Sequence, residues 1–117
     1  MNKQLFSGNN PDVSVFFNFS CAKDVFDAYA APEEWREDVI FIYADYESAD
    51  YEGSSHVIFM KGDKLYEVNG SHCSCNGLEE CWSPEETSFA ALMFRPNVSD
   101  TAKKNLKKAF PGLVASL

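Results

Sequence analysis

The run His72-Cys73-Ser74-Cys75, followed six residues on by Cys81, places three of the chain's four cysteines and one of its two histidines in one short stretch. Thiolate and imidazole are the usual donors to a tetrahedral zinc ion, so His72, Cys73, Cys75 and Cys81 make up a possible Cys3His set. The spacing argues against that reading. Zinc loops use Cys-x2-Cys or wider pairs drawn from two separate elements, whereas His72 and Cys73 are adjacent and Cys73-x-Cys75 is tight. Reduced thiols that pack as small hydrophobes are the simpler reading, with a disulfide as a further alternative.

A cysteine nucleophile needs a neighbouring base. In extended backbone, adjacent side chains point to opposite faces, so His72 is badly placed to activate Cys73. His56 is the better base for Cys73 or Cys75, but no orienting acid or oxyanion site is recognisable beside them. The chain also contains no glycine-rich phosphate loop, no His-Glu-x-x-His and no Gly-x-Ser-x-Gly. The expectation is a protein that is not an enzyme, with a cysteine-dependent activity as the outlying alternative.

Charge supplies a second signal. The net charge is −8, but between Asp24 and Glu86 there are 16 acidic and 3 basic residues, a segment charge of −13. The remaining residues carry +5, concentrated in Lys103, Lys104, Lys107 and Lys108. Such a balance excludes the basic footprint of a nucleic-acid-binding domain and suits an acidic face that steers onto a basic protein surface. The residues expected to form that face are Glu33, Glu34, Glu37, Asp45, Tyr46, Glu47, Asp50, Tyr51 and Glu52. The blander reading of the same charges is a solvated surface that keeps the protein soluble.

The elements that must position these groups fit one domain over residues 1–117. Apolar residues make up 45% of the chain and include ten phenylalanines, enough for one core without disulfide staples. No long uncharged apolar run and no signal-like N-terminus are present, so a cytoplasmic protein without membrane association is expected. Val13–Phe19 reads as a strand, and Ala22, Val25, Phe26 and Tyr29 mark a helix that ends before Pro32. Pro32 then opens a short turn through Trp35. Val39–Ala44 is apolar on both alternating sets, as in a strand covered on both faces. After a loop containing Gly53, residues 56–61 and 64–69 form a hairpin about Gly62-Asp63. That turn sets Met60 opposite Leu65, Phe59 opposite Tyr66, Val57 opposite Val68 and His56 opposite Asn69, with Val57, Phe59, Tyr66 and Val68 facing the core. Ser83-Pro84-Glu85-Glu86 is expected to cap a helix, and a last helix should start at Ser99-Asp100 and stop at Pro111-Gly112. The expected fold is α+β: an antiparallel meander of three to four strands packed against two to three helices.

The stretch Asp45-Tyr46, Tyr51-Glu52-Gly53, Lys64 to Cys75, Gly77-Leu78-Glu79, Trp82 and Pro84-Glu85-Glu86-Thr87 resembles a group of small proteins encoded by bacteriophages and prophages. The resemblance covers roughly residues 38–92 and carries no activity, cofactor or site residues with it. Cys81 departs from that pattern, where glutamine is common, which sets it apart from any ligand set the group would share. The phage context implies a host cytoplasm. It also implies a function of a particular kind: stoichiometric binding to a host protein or complex with a basic surface, such as a defence complex of the CRISPR type. A structural zinc module built on His72, Cys73, Cys75 and Cys81 is the alternative.

Overall fold

A computed structural model describes residues 15–49, 52–73 and 77–114. The protein is α+β, with a five-stranded mixed sheet in the order β1-β2-β3-β4-β5. The strands are β1 (Val15–Phe17), β2 (Val39–Ala49), β3 (Glu52–Lys61), β4 (Lys64–His72) and β5 (Glu85–Thr87). The helices are α1 (Ala22–Tyr29), α2 (Phe89–Met93), α3 (Asp100–Ala109) and α4 (Pro111–Val114), with a 3-10 turn at Glu33–Trp35.

The hairpin has the expected register: His56 pairs with Asn69, Val57 with Val68, Phe59 with Tyr66 and Met60 with Leu65. Gly62 takes the left-handed conformation that this two-residue turn needs, with φ 61°. Both strands run further than expected. Gly53 lies within β3 rather than in a loop, and β4 carries through to His72.

The sheet corrects the purely antiparallel meander in two places. β1 pairs with β2 in parallel, Val15 opposite Tyr43 and Phe17 opposite Asp45, because the chain between them passes through α1 and so enters β2 in the same direction. The expected strand start at Val13 and Ser14 lies outside the described residues. At the other edge, Glu85–Thr87 forms β5 against Leu65–Glu67 instead of the first turn of a helix. The capping signal at Ser83 is overridden because the free edge of β4 offers ladder bonds to this segment. Helix α2 begins later, where the Ser88 hydroxyl accepts the Ala91 N–H at 3.1 Å. That start turns both Phe89 and Leu92 into the core.

Helices cover both faces, so there are two cores rather than the single core face expected from the hairpin. On one face Ile42, Tyr43, Ile58, Met60 and Leu65 pack against α2 and α3 through Phe89, Leu92, Ala102 and Leu106. On the other, Phe41, Ala44, Val57, Phe59 and Val68 pack against Val25, Phe26 and Tyr29 of α1, with Trp82 stacked on Phe59 and Trp35 edge-on to it. Helix α1 ends on Ala30 in the left-handed conformation (φ 51°), and Arg36 closes that end by donating to the carbonyls of Ala31 and Phe26. Ser99 caps α3 through the Ala102 N–H at 3.1 Å, and Lys107 and Lys108 occupy its last turn, where the helix dipole favours cations.

β2 contains a bulge. Phe41 pairs with Phe59 and Tyr43 with Ile58, leaving Ile42 without a partner residue on β3. Its carbonyl instead accepts the side-chain amide of Asn105, a buried residue of α3, at 3.0 Å. Replacing Asn105 by Ala removes that donor and strands a buried carbonyl. The expected loss is about 1–3 kcal/mol in urea denaturation, with an unchanged slope.

A candidate docking cleft at the open end of the sheet

Alternation along the strands sorts the polar residues onto two faces. Beyond the area covered by α2 and α3, one face carries a polar grid: Asp45 pairs with His56 and His56 with Asn69, while Glu47 pairs with Ser54 and Ser54 with Ser71. Two adjoining depressions, of about 570 and 350 Å3, open at this end of the sheet, the smaller over the grid and the larger around the strand ends, and share Glu47, Ser54 and Ser71. Glu52 and His72 line the larger, and His56, Asn69 and Asn97 the smaller.

The expected acidic face does not form one surface. Glu33, Glu34 and Glu37 lie at the hairpin end of the sheet, where Lys61 reaches the Glu37 carbonyl at 2.6 Å. Glu47 and Glu52 lie at the other end of β2 and β3, about 26 Å away at the rise of a strand. Asp45 is committed internally: its carboxylate accepts the His56 backbone N–H at 2.8 Å and the Tyr43 hydroxyl at 2.7 Å. Burial and that hydrogen bond push the Tyr43 phenol up to about 12. Tyr46 is half-buried, stacked on Phe19 and bonded to His72, so it is not an exposed anchor. Asp50 and Tyr51 lie outside the described residues. Glu47 and Glu52 are exposed, with no cation at ion-pair distance among the described residues.

His72 sits at the end of β4 opposite Gly53, on the face that carries Tyr46. Its Nδ1 is 2.8 Å from the Cys73 carbonyl, which only accepts, so Nδ1 carries the proton and Nε2 accepts from the Tyr46 hydroxyl at 2.6 Å. Both ring nitrogens are thereby occupied. The Cys81 thiol donates to the Ser71 carbonyl at 3.2 Å, Cys73 is exposed, and Cys75 lies outside the described residues. Among the described residues no three of His, Cys, Asp and Glu come together as metal ligands. A dyad of His56 with Cys73 is also not assembled. His56 faces Asn69, four residues along β4 from Cys73, a separation of about 13 Å.

What sequence reasoning missed is the partner of His56. Glu67 is 3% exposed and lies between His56 Nε2 at 2.8 Å and the Arg95 guanidinium at 2.5 Å. Burial alone would push its carboxyl up; the hydrogen bonds from Arg95 and His56 outweigh that and hold it below the ordinary carboxylate range. The signal was faint: a glutamate at an inward position of an otherwise apolar strand, two residues along β4 from His56's partner. Arg95 follows α2 directly, so this bridge fixes the turn that brings Asn97 to the cleft wall. No helix among the described residues is long and apolar enough to cross a membrane.

Two predictions follow from these contacts. A Cβ at position 53 would lie 2.3 Å from His72 Nε2, so Gly53→Ala must displace the ring and break the Tyr46 bond. The expected cost is about 1–3 kcal/mol, with the His72 ring nitrogens shifted in NMR spectra. Because the Glu67 carboxyl is lowered on folding, its contribution is full above the unfolded carboxylate value and is lost as pH falls through the folded one. Glu67→Gln should therefore cost on the order of 2 kcal/mol at pH 7, less than a fully buried pair because Arg95 is partly exposed, and progressively less towards pH 3 in denaturation series.

Comparison with known proteins finds no matching family model, no matching curated protein and no matching solved structure, and the geometry of the cleft stands as the basis of the functional reading.

Proposed function

We propose that the protein acts by stoichiometric binding to a host protein or complex with a basic surface, as an inhibitor of a host component such as a defence complex. The observation that carries this reading is the state of Glu47 and Glu52: two exposed, unpaired carboxylates at a concave polar surface, on a chain whose middle segment carries −13. Carboxylates without internal cations keep their field for a partner, which raises association rates and selects basic surfaces. The resemblance to phage-encoded proteins supplies the host context. A basic groove that normally holds nucleic acid is lined by lysine and arginine, and an acidic protein surface competes for it on the same terms.

Tagged protein expressed in a bacterial host should retain a host protein at near one-to-one ratio, with retention weakening as salt rises. The charge reversals Glu47→Lys and Glu52→Lys should abolish it, while Glu33→Lys and Glu34→Lys, at the far end of the sheet, should leave it. No retained protein at low salt, or retention indifferent to all four changes, would sink the reading.

A further inference from the structure

The cleft is bordered by an unpaired stretch of sheet edge. β5 covers β4 only at Leu65, Tyr66 and Glu67. In an antiparallel ladder, alternate residues turn both backbone groups towards a given neighbour. The two-residue turn closes on the Lys61–Lys64 pair, and the Gly62 N–H goes to the Asp38 carbonyl, so Tyr66, Val68, Gly70 and His72 turn their backbone groups to β3 and Leu65 and Glu67 turn theirs to β5. By the same alternation Asn69 and Ser71 also face outward, past the end of β5. The Cys81 thiol takes the Ser71 carbonyl. The Asn69 N–H, the Asn69 carbonyl and the Ser71 N–H have no protein partner among the described residues. Backbone groups left unpaired in this way must reach water, so among the described residues this edge is open. Both residues have exposed side chains, and both line the smaller depression.

We infer that β4 accepts an added strand at Asn69–Ser71, supplied by an extended segment of the partner with lysine or arginine at alternate positions. This rests on the binding reading above and specifies its mode. Main-chain bonds to the three open groups would hold the segment, and alternation would put every second side chain over the polar grid. Charge complementarity selects the occupant. Glu52 lies on the next strand in, about 10 Å from an added strand, within reach of a lysine or arginine side chain, and Glu47, one strand further, adds to the field. Natural sheets blunt such edges with lysine, proline or a covering loop. Here, among the described residues, the Cys81 contact does so at one carbonyl.

The test uses the purified full chain and the peptide acetyl-Lys-Val-Lys-Val-Lys-amide, followed by amide NMR. Binding should slow exchange of the Asn69 and Ser71 amides at least tenfold. N-methylation of one alternate set of peptide nitrogens should abolish that protection while methylation of the other set leaves it, and the peptide with Glu in place of Lys should not bind. Ser71→Pro removes an N–H that the fold does not use, so it should weaken binding at least tenfold with the remaining amide spectrum intact. Two results would overturn the inference: no binding, or binding equal for both methylated peptides without protection at Asn69 and Ser71. Host-protein retention that is lost with Glu47→Lys but indifferent to Ser71→Pro would overturn strand addition alone and leave the acidic binding reading standing.

Discussion

The single unpaired residue at Ile42 decides how the rest of the sheet is used. Before it, Phe41 faces the α1 side; after it, Ile42 and Tyr43 both face α2 and α3, and Ala44 returns to the α1 side. Every later residue of β2 inherits that phase. Asp45 and Glu47 therefore join His56, Ser54 and Ser71, whereas Tyr46 meets His72 on the opposite face. Without the bulge, Asp45 and Glu47 would be turned towards the α1 layer and the cleft would lose both carboxylates. The extra residue frees a carbonyl in a dry core, and the Asn105 amide from α3 satisfies it, so the phase of the sheet and the docking of that helix depend on one another.

The two faces then divide the work. The α1 side is an aromatic layer in which ring contacts link Phe41, Phe59, Tyr66, Trp35 and Trp82, and at its open end Tyr46 and His72 are bonded to each other. The other side is apolar only where the helices lie on it. At the boundary between its covered and open parts stands Glu67, held ionised by Arg95 and His56. A buried carboxylate with two cationic or hydrogen-bonding partners ties helix, turn and sheet together at the rim of the cleft, and fixes the rim through directional bonds.

The hairpin register was legible, though not the full length of its strands, because Gly62-Asp63 sets the register and one residue pair then fixes all the others. The start of α3 was legible for a similar reason, since the Ser99 cap and lysines at helical spacing act within a few residues, but its end was not: α3 stops at Ala109, and Pro111-Gly112, expected to stop it, open α4 instead. The start of α2 was not. Ser83-Pro84-Glu85-Glu86 carries every local mark of a helix, but its neighbour in space is an unfilled strand edge, and several ladder bonds outweigh one cap. Nor could a list of acidic residues reveal that Glu33 and Glu47 sit at opposite ends of the sheet, or that Asp45 is consumed by its own neighbours.

Local chemistry alone thus settles the α+β class, the hairpin register, the helix α1 stripe and the strong negative charge of the middle segment, because each depends on residues close together along the chain. The bulge lies beyond that reach. Val39 to Ala44 is apolar at every position, so no alternation exists to betray a change of phase. The parallel pairing of β1, the Arg95–Glu67–His56 bridge and the open edge at Asn69 and Ser71 depend on which distant segments arrive beside which strands. Those meetings are set by packing two helical layers on one sheet, and only the folded chain decides them.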